Sequence, residues 1–149
     1  MRPIIRLRPA SLADLPFLLR LRRLTMTPHL QRAGVPTDDH THDQRIRAHF
    51  EDASIICEGA DATEIGLLKV TRAAHEWHVH QIQLLPDRQG QGIGQAVLSE
   101  LLAEATRANM AVSLGVLHGN PARRLYERLG FRFVSETETG TGTNMIWRA

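Results

Sequence analysis

Two stretches of this 149-residue chain carry residue types whose spacing suits chemistry. The first is "PDRQGQGIGQAV", Pro86 to Val97, with glycines at 90, 92 and 94 before a helical pattern begins. Glycine lets the backbone take left-handed conformations, and with no Cβ it lets a bulky group approach closely. At a strand-to-helix junction, free N–H groups and the positive end of a helix dipole converge, so the group that fits is a phosphate. Two nucleotide spacings are absent. A P-loop needs Lys and then Ser or Thr after its last glycine, whereas Gln95 and Ala96 follow Gly94. The pattern G-x-G-x-x-G fails from Gly90, where Gln95 is sixth, and from Gly92, where Val97 is sixth. A turn that merely tightens the joint is the plainer alternative. The second stretch is "HEWHVH", with His75, His78 and His80. On a regular strand His78 and His80 share a face and His75 takes the other, so a three-histidine metal site is not expected, nor any other metal. An imidazole of ordinary pKa, about 6.5, suits proton transfer near neutral pH. Without a chemical role, the pair would simply line a half-exposed strand.

The elements that must position these residues follow from periodicity. "IIRLR" (4–8) alternates and reads as a strand. "SLADLPFLLRLRRL" (11–24) reads as a helix capped by Ser11 or Asp14, with Pro16 in its first turn and Leu15, Leu18 and Leu19 facing the core. A loop over 27–41 leads to a second short helix ending near Phe50. "SIICE", "TEIGLLKVTR" and "HEWHVHQIQLL" read as three successive strands. From Gly92 to Ala108 the period is helical, with Val97, Leu98, Leu101, Leu102 and Ala105 in one stripe. "AVSLGV" (111–116) is a strand. "NPARRLYERLG" (120–130) is a short helix capped by Asn120, with Pro121 at its first position and Gly130 at its end. "FRFVS" and "TNMIWR" are two closing strands, joined by the turn-rich "ETETGTGT". The order β-α-α-β-β-β-α-β-α-β-β predicts a mixed α/β (α+β) sheet with helices on its faces.

Composition narrows the classes. Apolar residues make up 42% and charged residues 23% of the chain, as in an ordinary globular protein, and the length suits one domain over 1–149. No run of 18 apolar residues and no secretory leader is visible, so neither a membrane span nor export is expected, and a cytoplasmic location is the default. Of 18 Lys and Arg side chains one, Lys69, is lysine, and the net charge is +2. The arginines are scattered among acids, which gives no basic stripe for nucleic acid. The single cysteine, Cys57, reads as a buried, inert thiol in a strand.

These motifs resemble those of the GCN5-related N-acetyltransferases (GNAT). Gln89, Gly92 and Gly94 match that family's phosphate-binding signature, with Pro86 a few residues earlier. Asn120, the pair Leu125-Tyr126 and the pair Gly130-Phe131 match its second signature, although many members space Asn and Tyr one residue further apart. The element order agrees along nearly the whole chain. The resemblance implies a mostly antiparallel central sheet with helices on both faces, an acyl-CoA-binding fold. It also implies acetyl transfer from acetyl-CoA to a primary amine.

On that resemblance, the pyrophosphate of acetyl-CoA would lie on Gln89, Gly90, Gln91, Gly92, Ile93 and Gly94. The pantetheine arm would lie along Leu84 and Leu85, on a strand that splays from its neighbour. An N–H near Leu84 would receive the thioester carbonyl. Asn120 and Tyr126 would complete the cofactor site, and Tyr126 would be the general acid. His78 and His80 match a histidine pair that relays the amine proton in serotonin-type members, which makes His80, with His78, the candidate base. Turnover would then rise with pH through roughly 6 to 7.5. Where some members carry a Glu base, this chain has Gly115. The acceptor region would hold His29, Arg32, Asp38, Asp39, His40 and His42. Asp38 and Asp39 could attract a cationic amine, but Thr37 or Asp38 capping the second helix is the favoured role. The expected partner is a small-molecule or peptide amine, with a homodimer allowed. A non-catalytic acyl-CoA sensor of the same fold is the alternative.

Overall fold

The computed structural model describes residues 4–26, 31, 34 and 38–149. Strand β1 (Ile5–Pro9) leads through a 3-10 turn (Leu12–Asp14) into helix α1 (Leu15–Thr25). Helix α2 (Asp39–Arg47) and a second 3-10 turn (Phe50–Asp52) precede strands β2 (Ala53–Glu58), β3 (Thr63–Arg72) and β4 (Glu76–Leu84). Helix α3 (Ile93–Ala108), strand β5 (Ala111–Leu117), helix α4 (Ala122–Leu129) and strands β6 (Arg132–Glu136) and β7 (Gly142–Trp147) follow. The expected element order therefore holds, with most boundaries moved by a residue or two; α1 begins four residues later than expected because a 3-10 turn precedes it, and α2 starts inside the expected 27–41 loop and ends three residues before Phe50.

Seven strands form one sheet in the order β1-β2-β3-β4-β5-β7-β6, and only β4 and β5 run parallel. Helices cover both faces. The α3 stripe Val97, Leu98, Leu101, Leu102 and Ala105 packs with Tyr126 and Phe131 on one side. Phe17, Leu18 and Leu21 of α1 pack with Ile46 of α2 and Cys57 on the other. The buried apolar face of α1 is thus Phe17, Leu18 and Leu21, while the expected Leu15 and Leu19 lie at its partly buried margin.

Local chemistry explains the element ends. Ser11 caps the first 3-10 turn, its N–H donating to Asp14 Oδ2 at 2.8 Å, and Pro16 lies in the first turn of α1. Asp38 caps α2 by accepting from the Thr41 N–H at 3.1 Å. The Nζ of Lys69, 2% exposed, donates to the carbonyls of Arg45, Ile46 and Ala48 at 3.1, 3.0 and 2.7 Å. The only lysine of the chain therefore satisfies carbonyls that end a helix, which are otherwise left without donors. Gly66 marks a close approach: a Cβ there would lie 2.3 Å from the Gln83 carbonyl oxygen.

Two irregularities in β4 matter for the site. Its pairing with β5 stops at Val79 and Leu114, although both strands run on, so a gap opens between them. Its register against β3 also shifts. Val70 faces Val79, but Lys69 faces Gln81, which leaves His80 as the extra residue of a β-bulge. The bulge reverses the alternation: Trp77 and Val79 enter the main core, and beyond it Ile82 and Leu84 pack on that same core.

Candidate active site

The gap between β4 and β5 widens into a cleft of about 530 Å³. Its walls include Ile82, Gln83 and Leu84 of β4, the segment Gln89 to Gln95 except Gln91, and Asn120, Leu125, Tyr126 and Arg128 from α4 and its approach. The glycine stretch opens this cleft by its backbone. Gly90 and Gly92 have φ of 74° and 80°, and no atom stands within 4 Å of where a Cβ would be. Gly92 is the N-cap of α3, so the first N–H groups of that helix have no intrahelical acceptor. The side chain of Gln89 donates to the Leu84 carbonyl at 3.0 Å and ties the loop to the end of β4. Asn120 accepts from the Ala122 N–H at 2.9 Å, but Pro121, expected at the first helical position, is itself the N-cap, one residue before α4 begins at Ala122.

A smaller recess of about 70 Å³ continues into the gap, lined by Met26, Val79, His80, Gln81, Leu114 and Gly115 among others. Asn120 and Tyr126 line both cavities. Leu85 and Gln91 line neither: Leu85 packs on the α1 side, and the Gln91 side chain donates to the Asp87 carbonyl at 2.9 Å.

The titratable groups are tuned by burial. Tyr126, 7% exposed, has its phenol pushed up to about 12 by desolvation, so it is protonated at neutral pH. His80 is pushed down to about 4, chiefly by burial, then by the neighbouring His78, His49 and Lys69, with Asp52 opposing. The acidic limb expected between pH 6 and 7.5 therefore moves lower for His80. His78 is also lowered, first by burial.

The two histidines, expected to act as a pair, differ in surroundings. Their rings meet edge to face at 4.8 Å. His78 Nδ1 shares a hydrogen bond of 2.8 Å with Ser113 on β5, and His78 lines neither cavity. The His80 ring stacks on His49 at 4.1 Å, and its Nε2 lies 2.7 Å from Thr71 Oγ1, which donates to Asp52 Oδ2 at 2.6 Å. The sequence reading missed His49, Thr71 and Asp52, as well as Arg128 in the cleft. No short-range spacing links them to His80 or to the glycines. Donor atoms of His49, Asp52 and His80 lie within 4.8 Å of one another, a grouping that could take a metal ion. Within this grouping the Thr71 hydroxyl bridges Asp52 and His80.

The acceptor-side residues fall elsewhere. Asp38 caps α2, Asp39 pairs with Arg23 in an exposed bridge, and buried His42 accepts from Arg22 Nε at 3.0 Å. His40 is exposed, and His29, Arg32 and Thr37 lie outside the described residues.

The model of the acetyltransferase (GNAT) domain matches residues 51–133, more than half of the chain. The chain belongs to the GNAT family. Acetyl transfer is the general chemistry this domain supports. Solved GNAT structures share its fold. A PaiA N-acetyltransferase from Thermoplasma acidophilum, in complex with coenzyme A, is 20% identical with a TM-score of 0.74, covering 98% of this chain and 99% of that one. An acetyltransferase from Thermus thermophilus is 19% identical with a TM-score of 0.76, covering 97% of each chain. The N-acetylglutamate synthase of Neisseria gonorrhoeae, complexed with coenzyme A and N-acetyl-glutamate, is 17% identical with a TM-score of 0.71. That match covers 99% of this chain and 36% of the longer one. No curated protein matches the chain. Among the described residues of this GNAT chain, no helix is long and apolar enough to cross a membrane.

Proposed function

We propose that residues 1–149 form one N-acetyltransferase domain that moves an acetyl group from acetyl-CoA to a primary amine by direct attack, with Tyr126 as general acid and His80 as base. The observation that carries this reading is that Tyr126 lines both the large cleft and the recess holding His80, so one residue borders both cavities.

The cleft fits an acyl-CoA donor. Gly90 and Gly92 leave backbone groups at the start of α3 open to a pyrophosphate, and Arg128 adds a cation to the same cleft. The unpaired edge of β4 from His80 to Leu84 offers peptide groups to the amides of the pantetheine arm. The Thermoplasma and Neisseria proteins of the same fold are solved with coenzyme A, which supports an acyl-CoA donor in general. In the reaction the amine nitrogen bonds to the acetyl carbon and the carbon–sulfur bond breaks. Sulfur takes the Tyr126 proton, and the acylating nitrogen, whose acidity rises as it is acylated, gives its proton to His80. Solvent then returns a proton from His80 to the Tyr126 phenolate. Both groups start in the neutral forms this requires, because burial favours a phenol and an unprotonated imidazole.

The test is thiol release from acetyl-CoA across a panel of amines: arylalkylamines, amino acids, aminoglycosides and peptide N-termini. Release with any of them supports transfer and names the acceptor class. Tight acetyl-CoA binding without release from the whole panel would favour the sensor reading.

A further inference from the structure

Thr71 sits between a carboxylate and an imidazole. It is within 2.6 Å of Asp52 Oδ2 and 2.7 Å of His80 Nε2. A hydroxyl has one proton, and an ionised carboxylate can only accept. The Thr71 proton therefore goes to Asp52, so the contact with His80 must be filled by an N–H on Nε2. That leaves Nδ1 with its lone pair, and among the described residues Nδ1 makes no hydrogen bond. The β-bulge brings this about, since His80 is the unpaired extra residue of β4 while Thr71 stays in register opposite His78.

We propose that Asp52 and Thr71 are positioning residues for acetyl transfer, holding His80 in its Nε2–H tautomer so that Nδ1 receives the amine proton. The proposal rests on His80 being the base. On proton transfer a bond forms from Nδ1 to hydrogen as the nitrogen–hydrogen bond of the acceptor breaks. The imidazolium then donates from Nε2 to Thr71, which still donates to Asp52. Asp52 itself takes no proton; its charge favours the imidazolium through the hydroxyl. The other groups facing the ring oppose this charge: His49 by stacking, His78 by its edge, and Lys69 from β3. Asp52 is thus the acidic group in this set that compensates it.

The experiment measures turnover, pH profiles and the ring nitrogen signals of His80 in long-range ¹H–¹⁵N spectra. Wild type should show a protonated Nε2 and an unprotonated Nδ1. Thr71→Val should lose this preference and about tenfold in kcat, with the KM for acetyl-CoA unchanged, while Thr71→Ser restores both. Asp52→Asn can still accept from Thr71, so it should keep the tautomer yet lower kcat and move the acidic limb to lower pH. His80→Gln separates the two readings. If it is slow while Thr71→Val runs at full rate, the positioning role is overturned and the base stands. If it runs at full rate, both fall. A wild-type spectrum with the proton on Nδ1 overturns the positioning role whatever the rates.

Discussion

Burial moves Tyr126 and His80 in opposite directions, and the two shifts suit opposite roles. The phenol holds its proton up to about 12, which fits a donor to a departing thiolate and leaves little phenolate at neutral pH. Tyr126→Phe keeps the ring that packs edge to face on Phe131, so the fold should be retained. Turnover should fall by about a hundredfold or more with little change in acetyl-CoA affinity, as steady-state kinetics beside calorimetry will report. A matching loss of affinity would make the hydroxyl structural. For His80 the folded value, about 4, is lowered mainly by burial. Its protonated form therefore appears only well below the ordinary histidine range. The acidic limb of kcat that His80→Gln removes should lie nearer pH 4 than pH 6.5, read from profiles of both proteins at saturating substrates. A limb at 6.5 would mean that another group takes the proton.

At the scale of elements, the glycine segment and the buried lysine solve different problems of chain reversal. Gly92 caps α3 with φ of 80°, a region a β-branched residue enters only under strain. A Cβ there would meet no protein atom, so the space it would occupy belongs to the cleft. Gly92→Val should abolish the stabilisation that acetyl-CoA gives in a melting assay. In wild type that amounts to about 2.7 kcal/mol at a hundred times Kd. A folded variant with unchanged affinity would place the phosphate contact elsewhere. Lys69 reverses the chain after α2 by holding the Ala48 carbonyl, and the next residue, His49, takes a left-handed conformation with φ of 53°. That turn sets the His49 ring on His80.

For the molecule as a whole, Asp14 joins the first strand to the entry of α1. Arg8 grips its carboxylate with two bonds of 2.9 Å, and the same guanidinium reaches Glu64 on β3. The Asp14 carboxyl is held down at about 2, first by the Arg8 hydrogen bonds, against the cost of its burial. Its folded value lies below the unfolded one, so its contribution is complete above about pH 4 and is lost as pH falls through 2. Asp14→Asn should lower stability at pH 7 and flatten the dependence between pH 4 and 2, measured by urea unfolding at several pH values. An unchanged acid slope would show that other carboxylates govern it.

The element order, the α3 stripe, the Asp38 and Gly130 caps and the glycine loop before α3 were legible in the sequence, because each depends on residues within about one turn or one strand of each other. The place of Tyr126 on the helix after β5 was legible in the same way. The bulge was not: "HVHQIQL" alternates smoothly in one dimension, and only pairing with β3 shows that His80 is the extra residue. Nor was the chain from Asp52 through Thr71 to His80, because its members come from a 3-10 turn and two strands that adjoin only once the sheet forms. The sequence by itself determined which backbone faces the cleft. Tertiary structure decided that His80 rather than His78 lines the recess, and which side chains surround it, because a side chain's hydrogen-bond partners and burial come from residues distant along the chain.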